Sequence, residues 1–472
     1  MSKPLFNAFE SVSSKAWKQK IQVDLKGADY NDTLIWKTNE GIDVKPFYHS
    51  DEFKTLPEVS ASKATEWNIC QYIEVSDAKV ANTIALDAIN RGAEHILFHI
   101  KSETISIETL LQDMNLAKIP VDISYDFLSD EFINNVLSTT SSITDNTNDT
   151  LVFQTDIIGN LAKTGNWFKN LNEDHKTFET IIKRTNQLSV DITLYQNAGA
   201  TIVQQLAYGL AHANEYLDHI HNTETLKSLY CHTERSRSAK ALNVTFNVSI
   251  GSNYFFEIAK LRALRQLWST LASEYGINPE CRIIATPSKR NKTIYDYNVN
   301  MLRTTTECMS AIIGGANAIY NLPYDALYHN SNEFGERISR NQLLVLKNES
   351  YFDKVNNPAD GAYYIESLTE QLAEKALNLF KDIEANGGFL NQLKEGTIQR
   401  KIKESASKEQ ADFDAEKLVL LGTNKHPNPT DKMKNELEIS PFLKIEKRKT
   451  LIEPIIEKRL SEKLEINRLK EE

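Results

Sequence analysis

Residues 243–288, NVTFNVSIGSNYFFEIAKLRALRQLWSTLASEYGINPECRIIATPS, hold the pattern on which the fold turns. A β-branched run at 243–250 gives way to apolar residues at helical spacing over 255–275, and a second β-branched run follows at 281–288. Strand, long helix, strand is the sequence form of a parallel crossover, because parallel neighbours need a connection of a dozen or more residues.

Outward from this unit the alternation recurs between about residues 66 and 322. The strand runs are 66–75, 95–101, 120–127, 150–158, 188–195, 243–250, 281–288 and 316–323, and 199–220 reads as a second long crossover helix. Eight strand and helix units of this length predict an α/β fold, a (β/α)8 TIM barrel. A doubly wound sheet is the alternative, but no Gly-rich strand-to-helix turn and no GxxxxGK loop occurs.

The barrel domain is assigned to 51–366, with LYCHTERSRSAKAL (229–242) as an inserted polar loop. Residues 1–50 form an N-terminal arm anchored by Trp17, Tyr30 and Trp36, lying on its own barrel or on a partner. Residues 367–427 read as a helical C-terminal extension, with a helix ending at Gly387-Gly388 and another over 389 to about 417. The tail, 428–472, reads as one or two exposed amphipathic helices. A solvated tail and a partner-docking tail both stay open, since Ile439, Phe442, Leu443, Leu451 and Ile455 need apolar cover.

Composition narrows the function classes. The 472 residues carry a net charge of −10, which opposes sequence-independent nucleic-acid binding; Lys289-Arg290-Asn291-Lys292 reads as a short solvated loop. No apolar run approaches the roughly 18 residues of a membrane span, and no leader is read at the start, so a cytoplasmic location is expected. Cys70, Cys231, Cys281 and Cys308 match no zinc spacing or compact disulfide framework and read as buried free thiols. His95 and His99 share a strand face and read as core or rim histidines, while His219 and His221 fall at a helix end. HExxH, CxxC, GxSxG and EF-hand loops are absent.

Several ordered blocks resemble the methylmalonyl-CoA mutase family. KIQVDLKGADYNDTLIWKTNEGIDVKPFY (20–48) is similar to that family's opening segment, and Phe256 to Ala263 to its E-I-A-K-L/M-R-A helix. Asn298, Arg303-Thr304-Thr305 and Glu307 follow N-x-x-R-T-x-x-E. Gly314-Gly315, Phe334, RISRNQ (337–342), NPADGAYYIESLT (357–369), IEANGG (383–388) and LGTNKHP (421–427) continue in the same order.

The departures concern the residues that the resemblance implies for chemistry. The family's histidine, which polarises the substrate thioester carbonyl, falls on Leu194, and its carboxylate-clamping arginine on Thr164. The two glutamates facing the corrin fall on Asn197 and on Ala326, which follows Asp325. Tyr72 and Gln154 are the expected substrate-site remnants; no catalytic, cofactor or metal residue is assigned. No D-x-H-x-x-G loop for cobalt occurs, and the residues after Pro427 are too few for a flavodoxin-like cobalamin domain.

The resemblance therefore implies the small, non-catalytic subunit of a heterodimeric mutase. Its large subunit would hold adenosylcobalamin and interconvert (R)-methylmalonyl-CoA and succinyl-CoA, while this chain binds no cofactor, nucleic acid or membrane. The alternatives are a barrel that itself binds an acyl-CoA or has its own isomerase activity, and an independent scaffold for cobalamin enzymes.

Overall fold

The computed structural model describes residues 10–55, 63–141, 150–223, 242–443 and 448–472. Among the described residues ten strands occur in chain order: β1 (Trp36–Lys37), β2 (Asp43–Val44), β3 (Asn68–Val75), β4 (His95–Ile100), β5 (Val121–Tyr125), β6 (Leu151–Gln154), β7 (Gln187–Asp191), β8 (Asn243–Ile250), β9 (Arg282–Pro287) and β10 (Ala318–Tyr320). The first two pair as an antiparallel ribbon in the arm. The other eight form one sheet in the order β6-β5-β4-β3-β10-β9-β8-β7, with every pairing parallel.

Pairing of the last strand with the first, Ala318 with Asn68 and Tyr320 with Cys70, curls the sheet into a nearly closed barrel. At the seam between β6 and β7 a side chain replaces the backbone ladder. The buried Gln187 amide accepts from Phe153 N and donates to Leu151 O, both at 2.8 Å, satisfying groups that an edge would leave exposed. The TIM-barrel expectation stands. Outside the strands, one core runs through the long helices Ile202–Asn222, Tyr254–Glu274 and Tyr363–Ala385.

Two strand runs end earlier than their composition suggests. Asp156 caps the helix Ile157–Thr164 by accepting from Gly159 N at 2.7 Å, so Ile157 and Ile158 are helical core residues rather than the end of a strand. Asp191 accepts from both Thr193 N and Thr193 Oγ1, turning the chain into the short helix Thr193–Asn197. The extension differs similarly: Gly396, in the left-handed region at φ +76°, divides the expected 389–417 helix into Phe389–Lys394 and Thr397–Asp414.

The basic loop is not a solvated surface. Lys289 is exposed, but Arg290, Asn291 and Lys292 are buried, and the Lys292 ammonium donates to both oxygens of buried Glu307 at 2.9 and 2.7 Å. The tail departs furthest. Among its described residues the tail is largely irregular up to 461, Glu462–Glu471 is its one helix, and Ile452, Ile455, Leu460 and Glu465 are buried.

In the arm, Glu40 accepts from Ile202 N and Val203 N at 2.9 Å each, placing a carboxylate at the positive end of a long helix. Trp36 meets Phe256 edge-on, and Ile42 is buried, so this part of the arm lies on its own barrel. Helix Ser14–Asp24 buries no residue, and its Trp17 is half exposed. Residues 229–241 of the polar insertion, including Cys231, lie outside the described residues. The other three cysteines are buried and unpaired with one another.

Candidate functional site

Alternation along the strands aims every second residue into the barrel, and TIM-barrel chemistry sits where the strands end, at their carboxyl face. Across the bore runs a polar bridge centred on Asp122 of β5. Arg282 of β9 donates to Asp122 Oδ1 and Oδ2 at 2.8 and 2.9 Å. Three strands separate β5 from β9 in either direction around the ring, so the bridge spans the barrel's full width. His95 Nε2 lies 2.9 Å from Asp122 Oδ1; Gln154 donates to Oδ2 at 2.9 Å and accepts from Asn247 at 3.1 Å.

Burial opposes the charge on Asp122, yet the Arg282 guanidinium and His95 hold its carboxyl well below the ordinary range. Burial also pushes the His95 imidazole down, towards its neutral form, against the pull of Asp122. The bridge is thus one carboxylate neutralised by one guanidinium, with His95 and Gln154 as hydrogen-bonding supports. Nearer the mouth, Tyr72 stacks between Tyr320 (5.5 Å) and His99 (6.1 Å), and His99 reaches Ser124 at 3.0 Å and Asp126 at 3.2 Å. Among the described residues, no group of three His, Cys, Asp or Glu side chains is arranged to hold a metal ion.

The positions singled out from the sequence are dispersed. Tyr72 and Gln154 face the bore as above. Leu194 is buried in the main core. Thr164 ends the helix after β6 and spends its hydroxyl on Asn160 O and Asn166 O at 2.8 and 2.9 Å. Asn197, after β7, accepts from Ser288 Oγ (2.8 Å) and Lys289 N (3.1 Å), and Ala326 is part-buried in the turn after β10.

What covers this rim is the chain's own tail. Arg448 donates to Thr164 O at 2.9 Å, Leu451 and Ile452 to Gly165 O at 3.0 and 3.1 Å, and Ile455 to Ala162 O at 2.8 Å. Further along, Asn197 Nδ2 donates to Glu457 at 3.0 Å while Lys458 N donates to Asn197 O at 3.0 Å. Leu460 N reaches Arg290 O at 3.0 Å; buried Arg459 pairs with buried Glu465 at 2.7 Å, and Glu465 accepts from Ile294 N at 3.0 Å. Residues 448–465 therefore bind the segments that follow β6, β7 and β9.

Sequence reading missed both the bore bridge and this strap. A charge inside an apolar strand run, Asp122 in VDISY and Arg282 in RIIATP, was the available signal for the bridge. Irregular chain has no periodicity to read, so the strap's path left no signal beyond the need of Leu451 and Ile455 for apolar cover.

Comparison with known proteins places the chain in a family. The family model for methylmalonyl-CoA mutase matches residues 100–470. The methylmalonyl-CoA mutase small subunit of Porphyromonas gingivalis (strain ATCC BAA-308 / W83) is 35% identical over 457 residues, covering 90% of this chain and 72% of that protein. The methylmalonyl-CoA mutase of Rhizobium meliloti (strain 1021) is 29% identical, over 87% of this chain and 64% of its own length. The P. gingivalis large subunit is 31% identical over 54% of this chain and 35% of its own length. Thus the chain spans 72% of the length of one such relative and less than two thirds of the others. On the family match and the small-subunit identity, the chain belongs to the methylmalonyl-CoA mutase family.

Proposed function

We propose that this chain is the small, non-catalytic subunit of a heterodimeric, adenosylcobalamin-dependent methylmalonyl-CoA mutase. In this reading it supports a catalytic large subunit that interconverts (R)-methylmalonyl-CoA and succinyl-CoA in the cytoplasm. The observation that carries the proposal is the use of the barrel rim for internal bonding: Asn197, at a family corrin-side position, is held on one side by Ser288 and Lys289 and on the other by Glu457 and Lys458. Asn197 does not fit a corrin, because its side-chain polar atoms are already paired and the strap lies on the rim.

Substrate chemistry lacks its groups as well. Stabilising charge on a thioester oxygen needs a donor aimed at it, and buried Leu194 has none. Clamping a carboxylate needs a planar cation, whereas Thr164 turns its hydroxyl onto neighbouring carbonyls. The Arg282–Asp122 bridge also obstructs the bore against a long ligand.

A two-subunit assembly is supported by the P. gingivalis relatives, one named small and one named large subunit, both similar to this chain. The arm helix Ser14–Asp24, with exposed Trp17 and Val23 and no buried residue, is the surface assigned to the partner. The test is co-expression with the catalytic chain of the same organism. A one-to-one complex whose activity survives Tyr72→Phe and Gln154→Ala here supports the proposal; turnover by this chain alone, or no association, rejects it.

A further inference from the structure

The helical extension meets the barrel at a joint built from acids. Glu215 and Asp218, on helix Ile202–Asn222, face Glu384 near the end of helix Tyr363–Ala385. Asn214 Nδ2 donates to Glu384 Oε2 at 3.0 Å, and the Tyr275 hydroxyl bonds Asn214 Oδ1 at 2.8 Å and Asp218 Oδ1 at 2.5 Å. Glu215 Oε1 accepts from Leu390 N at 2.8 Å, in the first turn of helix Phe389–Lys394. The intervening Gly388, at φ +83°, passes so close that a Cβ there would lie 2.7 Å from Glu215 Oε1.

The second oxygen of Glu384, Oε1, is closed off from solvent and meets no donor among the described residues. Lys394 and His212 act on Glu215, whereas part-buried Glu384 feels the carboxylates of Glu215 and Asp218 and has Asn214 as its hydrogen-bond donor. A carboxylate in this setting has one oxygen without compensation and like charge beside it; the neutral acid avoids both costs.

We propose that this joint is a pH-sensitive latch: with Glu384 protonated, helix Tyr363–Ala385 and the 386–390 turn seat on helix Ile202–Asn222, and ionisation of Glu384 beside Glu215 and Asp218 loosens that seat. Burial, followed by the Glu215 charge, pushes the Glu384 carboxyl up to about 7, and burial raises Glu215 in the same direction. The folded chain therefore holds an extra proton between the ordinary glutamate range and about pH 7. The stability this proton confers is full below the ordinary range and is lost as pH rises through about 7.

Hydrogen exchange on the full chain between pH 5.5 and 8, corrected for intrinsic rates and referenced to β3, tests the latch. Residues 386–394 should exchange several-fold faster at pH 8 than at pH 5.5. Glu384→Gln should remove that dependence, and Glu370→Gln, on the exposed face of the same helix, should keep it. Glu215→Gln, which removes one neighbouring charge, should move the midpoint to lower pH. A flat wild-type profile, an unchanged profile in Glu384→Gln, or an unmoved midpoint in Glu215→Gln overturns the proposal.

Discussion

Replacing Arg282 by methionine strands a carboxylate in the middle of the barrel. Asp122 is fully buried, both its oxygens accept from Arg282, and no second full cation takes the guanidinium's place, since burial keeps His95 towards neutral. Breaking a buried pair by removing one partner costs about 3–5 kcal/mol. Arg282 is itself 24% exposed, which favours the lower end of that range. Urea denaturation followed by far-UV circular dichroism measures the loss. Adding Asp122→Asn to the Arg282→Met chain should recover most of it, because the remaining cost is that of a charge without a partner. Acid gives a second check. Asp122 has a depressed carboxyl, so the bridge confers stability above the ordinary carboxylate range, lost as pH falls below about 4. The deficit of Arg282→Met should therefore shrink on acidification. A loss under about 1 kcal/mol, or a double variant no more stable than the single one, would refute the bridge as the structural centre of the bore.

Asn197→Ala removes an amide with three side-chain-mediated bonds and should cost about 1–3 kcal/mol in urea denaturation. Arg459→Ala leaves Glu465 buried without its cation; a loss of about 3–5 kcal/mol and faster proteolytic cutting within 448–472 are expected. Gly199 lies at φ +100°, and a Cβ there would come 2.5 Å from Ala406 Cβ and 2.8 Å from Arg290 Cζ. Gly199→Ala should lower the thermal midpoint by more than Gly276→Ala, whose Cβ meets nothing within 4 Å.

The barrel was legible because its determinants are local. Runs such as NVTFNVSI and HILFHI state strand and burial together, and all eight runs became strands of the one sheet. Their ends were less legible because single side chains set them, as Asp156 and Asp191 do by capping and turning. The bore bridge was hidden for another reason: Asp122 and Arg282 are 160 residues apart and meet only through barrel closure. The basic loop was misread because charge in sequence does not disclose a partner, and Glu307 lies a helix away from Lys292. Leu194, Thr164 and Asn197 were located by resemblance; that Asn197 is tied to Glu457 followed only from the folded tail.

The most direct test of the non-catalytic assignment is the number of cobalamins held by the assembled enzyme. Equilibrium titration of the purified complex with adenosylcobalamin, followed by its visible spectrum, should reach one cobalamin per pair of chains, with none bound by this chain alone. Two per pair, or saturable binding to this chain by itself, would contradict the account.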